Sequence, residues 1–74
     1  MNIVYNNDTL YVDLNNIGSN LEMNELKNQV FNILDYYDIE NIVLNIVSSN
    51  KNQILLDNFI KAYHKKYKGN IRVE

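Results

Sequence analysis

The chain has 74 residues, a formal net charge of −2 and no cysteine. At that length it is one domain, residues 1–74, burying about 60–65% of its unfolded surface, and a pocket large enough for a cofactor would empty much of its core. Disulfides, zinc–thiolate sites and thiol nucleophiles are excluded, and no cofactor is expected.

The opening Met1-Asn2-Ile3-Val4-Tyr5-Asn6 has no basic segment followed by an apolar run, as a secretory leader would. No apolar stretch approaches the roughly 18–20 residues that span a bilayer. Small secreted domains usually need disulfide staples, so a cytoplasmic protein with no membrane partner is expected. The 15 Asn residues are scattered among periodic apolar positions. With the plentiful Ile, Lys and Tyr, they fit AT-rich codon usage better than a prion-like tract.

Ile3–Tyr5 and Leu10–Leu14 read as two strands joined by Asn6-Asn7-Asp8-Thr9, residues that tolerate positive φ. Leu10, Val12 and Leu14 alternate with Tyr11 and Asp13, so one face is better buried. Pairing Tyr5 with Leu10 sets Ile3 beside Val12 inside and Val4 beside Tyr11 outside. Ser19 and Glu22 have the spacing of a capping box. Met23, Leu26, Val30, Ile33, Leu34 and Tyr37 then recur at helical spacing, predicting a helix from about Asn20 to Tyr37. Asn41–Val47 reads as a central parallel strand, apolar on both faces. Asn50 and Gln53 repeat the cap spacing before a second helix, about Lys51 to Tyr67, striped by Leu56, Phe59, Ile60, Tyr63 and Tyr67. Gly69 suits the C′ position after it. Ile71 and Val73 alternate with Arg72 and Glu74 in a last strand.

The order ββαβαβ, with right-handed crossovers, predicts a two-layer α/β sandwich. Its four-stranded mixed sheet has strand order 1-2-3-4, with both helices on one face. The other face would carry Val4, Tyr11, Asp13, Val43, Asn45, Val47, Arg72 and Glu74. There the valines and Tyr11 would form an apolar patch ringed by polar groups, a pattern that marks interfaces. The loop Asn15–Ser19 folding back is the alternative cover for that patch.

Signals for catalysis are sparse, and no enzyme is expected. His64 is the single histidine and has no second His with which to share a metal. Glu22 with Glu25, and Asp35 with Asp38, read as solvated helix positions. Gly18 and Gly69 stand outside any phosphate-binding loop. Ser48 and Ser49 precede the second helix as loop or capping serines, or as phosphoacceptors.

Charge is uneven along the chain. Residues 1–60 hold two lysines against eight carboxylates, whereas residues 61–74 hold five cationic side chains against one carboxylate. Lys61, Lys65 and Lys68 would share one side of the second helix near Tyr63 and Tyr67. This is the alternative function, a nucleic-acid patch, although the tyrosines also fit the core stripe.

The whole arrangement resembles a shortened STAS domain, the fold of bacterial anti-sigma factor antagonists. The resemblance lies in the hairpin, the helix Glu22–Tyr37, the strand Asn41-Ile42-Val43-Leu44-Asn45-Ile46, the helix Ile54–Tyr67 and the closing Gly69-Asn70-Ile71-Arg72-Val73. That family usually has Asp where Asn45 stands, and Gly where Gly69 stands. Its next helix opens on an Asp-Ser-Ser-Gly-like motif. Counting on from Asn45 reaches Gln53-Ile54-Leu55 instead, and Ser48 and Ser49 come earlier. The resemblance implies a regulator that binds a protein partner or a second copy of itself, without the family's phosphorylatable serine.

Overall fold

A computed structural model describes residues 2–46 and 53–74. The elements are β1 (Ile3–Asn6), β2 (Thr9–Asp13), α1 (Asn20–Tyr36), β3 (Asn41–Asn45), α2 (Gln53–Lys66) and β4 (Asn70–Val73). The strands form one sheet in the order β1-β2-β3-β4. β1 is antiparallel to β2, and β2, β3 and β4 are mutually parallel.

Asn7 and Asp8 have φ of 52° and 60°, the two left-handed residues that a two-residue hairpin turn requires. The Tyr5 hydroxyl donates to Asp8 Oδ1 at 3.0 Å across this turn. Each strand therefore reaches one residue nearer the turn than the apolar pattern indicates. The register pairs Ile3 with Val12, Val4 with Tyr11 and Tyr5 with Leu10, as the sequence predicts.

Ser19 caps α1: its Oγ accepts the Glu22 amide at 3.2 Å, and its carbonyl accepts the Met23 amide at 3.1 Å. Met23, Leu26, Val30 and Leu34 form the buried stripe. Tyr37 does not continue it. Its backbone is extended, φ −121° and ψ 140°, and its side chain swings out to 65% exposure. Helix α2 contributes Leu55, Leu56, Phe59 and Tyr63. The expected start of this helix at Lys51, its Asn50 cap, and Ser48 and Ser49 lie outside the described residues.

Both helix stripes meet Leu10, Val12, Leu14, Ile42 and Leu44 in one cluster on one side of the sheet, which makes the fold a two-layer sandwich. Leu44 and Val12 are completely buried. Phe31 of α1 meets Phe59 and Tyr67 edge-on, with ring centroids 6.0 and 5.3 Å apart. Beside these rings a polar tie joins the C-terminal ends of the helices. The Tyr67 hydroxyl donates to Asp35 Oδ1 at 2.6 Å, and Lys66 Nζ lies 3.2 Å from Asp35 Oδ2.

Gly69 differs from its expected role, because no glycine in the described residues has positive φ. The constraint there is space. A Cβ at Gly69 would run into the Glu40 carbonyl and the Tyr63 hydroxyl. The backbone comes this close because the Asn70 amide donates to Glu40 O at 2.6 Å, where β4 begins beside β3. No helix among the described residues is long and apolar enough to cross a membrane.

Candidate protein-interaction face

The sheet face opposite the helices is built by register. Val4, Tyr11, Val43 and Arg72 stand in one row across all four strands. A neutral polar row, Asn6, Thr9, Asn41 and Asn70, runs along one side of it. Asp13 and Asn45 pair on the other side, next to Glu74 at the end of β4. The face thus grades from apolar at the β1 edge to charged at the β4 edge.

Exposure differs along that central row. Val4 is 52% exposed and Tyr11 39%. Val43 is only 3% exposed, which corrects the expectation that an uncovered face leaves it in water. It sits on a central strand with Tyr11 and Arg72 at the register positions on either side, and long neighbours shield a short side chain without any covering layer. It nevertheless stands outside the helix-side cluster. Val47 lies outside the described residues.

The polar members are already engaged. Asp13 Oδ1 accepts the Asn15 amide at 2.9 Å and the Asn15 side-chain amide at 2.8 Å. It closes the turn after β2, so its role is at least partly local. Arg72 directs Nε and Nη2 at Glu74 Oε2, at 2.9 and 2.7 Å. Asn45 is exposed, and its backbone carbonyl accepts the Leu14 amide at 2.9 Å. The loop after β2 does not fold over the patch: Ile17 packs against the helix-side cluster instead. A shallow depression of about 290 Å³ remains around Val4, Tyr11, Val43 and Asn45.

The basic end is arranged differently from the expectation. Lys61 and Lys65 are exposed on α2, but the helix ends at Lys66, so Lys68 lies beyond it and shares no helix side with them. Tyr63 is buried, 1% exposed. Tyr67 is held by Asp35 and by the Phe31 carbonyl, which accepts its hydroxyl at 3.1 Å. Neither ring is free to stack on a base. His64 is exposed and lies edge-on to Tyr63, centroids 5.4 Å apart.

A larger concavity among the described residues is one that periodicity does not indicate. It lies on the helix side, where β1 meets the end of α1. Ile3, Tyr5, Leu10, Ile33, Tyr37 and Ile39 line about 530 Å³ of mostly apolar space, with Asp38 the one charged group. Among the described residues no group of three His, Asp or Glu side chains could hold a metal ion.

No family model, curated protein or solved structure matches this chain.

Proposed function

We propose that this chain is a non-catalytic, cytoplasmic protein-interaction module whose binding surface is the sheet face away from the helices. The carrying observation is the central row: Val4 and Tyr11 stay substantially exposed on a flat, helix-free face, beside Asn45 and the paired Arg72 and Glu74. An apolar strip rimmed by polar groups is the anatomy of a protein contact. The absence of cysteine from so small a domain supports the reducing compartment. The likeness to anti-sigma factor antagonists supports a regulatory protein as partner, bound without serine phosphorylation.

The test is Val4→Thr with Tyr11→Thr, which keeps strand propensity and removes apolar surface. Partners captured from the native host by the wild-type chain should be lost, with the circular dichroism spectrum unchanged. Retention of every partner by the double variant would remove this face from the function. Capture of nucleic acid, weakening steeply with salt and lost with Lys61→Ala and Lys65→Ala, would move it to the basic end.

A further inference from the structure

β1 stands at an edge of the sheet, and the antiparallel ladder dictates which of its backbone groups face outward. Hydrogen-bonded and non-hydrogen-bonded pairs alternate along such a ladder. The Asp13 amide donates to Asn2 O at 2.7 Å, so Asn2–Asp13 is a bonded pair. Val4–Tyr11 and Asn6–Thr9 are then bonded too, following the register. The N–H and C=O groups of Ile3 and Tyr5 are left pointing away from β2, along the free edge. The backbone groups of neither residue make a turn, loop or cap hydrogen bond among the described residues.

The side chains of the same two residues line the apolar groove with Ile33, Tyr37 and Ile39. A strand laid against β1 would therefore gain main-chain bonds at Ile3 and Tyr5 and drop alternate side chains into that groove. The edge also lacks most of the usual protection. Unpaired edges are commonly blunted by shortness, charge, proline or a bulge, and β1, Ile-Val-Tyr-Asn, has only the first of these. The opposite edge, β4, carries Arg72 and is followed by Glu74.

We infer that β1 pairs with β1 of a second copy, antiparallel about a two-fold axis at Val4, joining two sheets into one of eight strands. The geometry is self-complementary. Ile3 of one copy faces Tyr5 of the other as a bonded pair, twice over, and the two Val4 residues meet between them as the close, non-bonded pair. On the helix side, the two grooves become continuous, and Tyr5 and Tyr37, now 55% and 65% exposed, are covered. A stable interface needs about 600 Å² from each partner, roughly an eighth of the 5125 Å² surface. The edge strand, its groove and the exposed Tyr5 and Tyr37 would form the centre of that area. This inference stands on the edge and not on the proposed partner-binding face, which dimerisation would leave open and double in width across the axis.

Sedimentation of the full chain over a wide concentration range tests it. A monomer–dimer equilibrium is expected, weakened at least tenfold by Tyr5→Pro, a change that removes an outward N–H, the Tyr5 side chain and its bond to Asp8, but no main-chain bond to β2. Amide exchange by NMR supplies an independent measure. The Ile3 and Tyr5 amides should become protected as concentration rises, while the Val4 amide is protected at every concentration. A wild-type chain that stays monomeric to millimolar concentration overturns the inference. A dimer in which the Ile3 and Tyr5 amides exchange freely overturns it equally. Loss of dimer in Val4→Thr with Tyr11→Thr, but not in Tyr5→Pro, would place self-association on the sheet face instead.

Discussion

The Tyr63 hydroxyl occupies the space that a side chain at residue 69 would need. It is buried and has no hydrogen-bond partner among the described residues. Burial pushes its ionisation above the ordinary tyrosine value, and the Gly69 backbone opposes this. An unsatisfied buried hydroxyl contributes nothing by bonding and costs its lost hydration. Tyr63→Phe is therefore expected to leave stability within about 1 kcal/mol of wild type, on the stabilising side. Gly69→Ala should cost about 1–3 kcal/mol through overpacking, and only part of that should return in the double variant, because the Glu40 carbonyl still blocks the added methyl. Urea melts of the three variants check this. A marked loss in Tyr63→Phe would show that the hydroxyl has a partner.

Leu44 lies at the centre of the helix-side face of the sheet and is wholly buried. Leu44→Ala should cost on the order of 2–5 kcal/mol, comparable to the whole stability of so small a domain. Denaturation midpoints giving a loss below about 1 kcal/mol would contradict this packing.

Val43 yields a different expectation from that of an exposed valine. With 3% exposure, Val43→Thr places a hydroxyl in a dry position, and a cost of about 1–3 kcal/mol follows. Val4→Thr, at a half-exposed position, should shift the melting midpoint far less. Equal shifts for the two would mean that Tyr11 and Arg72 do not shield Val43.

Asp35 links the helices and confers a pH dependence. The Tyr67 hydroxyl, and next the Lys66 ammonium, hold its carboxyl below the ordinary value of 3.8. A folded-state value depressed in this way stabilises the fold above the unfolded value, and that contribution is lost as pH falls through the folded one. Asp35→Asn should flatten the acid limb of the stability curve below about pH 4 and leave neutral-pH cooperativity intact. Denaturation midpoints between pH 2 and 7 give the comparison. An unchanged acid limb would remove Asp35 from the acid response.

Much of this architecture is legible in the residues. Asn7-Asp8 between two alternating runs specifies the hairpin register, Ser19 with Glu22 specifies where α1 begins, and two helical crossovers specify the strand order. Helical spacing assigns Tyr37 to the buried stripe because it continues through a residue whose backbone has already left the helix. Alternation assigns Val43 to a face but says nothing of what its neighbours cover, so its burial needed the register of Tyr11 and Arg72. Gly69 follows a helix, as a C′ glycine does, whereas its need for space comes from Glu40, far away in sequence. The candidate face was legible as a set of positions. The β1 groove was not, since Ile3, Ile33 and Ile39 come together only once α1 lies across the sheet.

Because both helices lie on one side, neighbouring residues along a single strand answer to different selective rules. At Leu10, Val12, Ile42 and Leu44, shape is constrained: the core accepts another apolar side chain of similar volume and little else. One step along the chain, at Thr9, Asp13, Asn41 and Asn45, volume is free and polarity tunes what the surface can touch. Genetic drift in this protein should therefore leave a two-residue rhythm along β2, where partner choice can change on one beat while the fold is held by the other, and a rhythm broken in β3 by buried Val43.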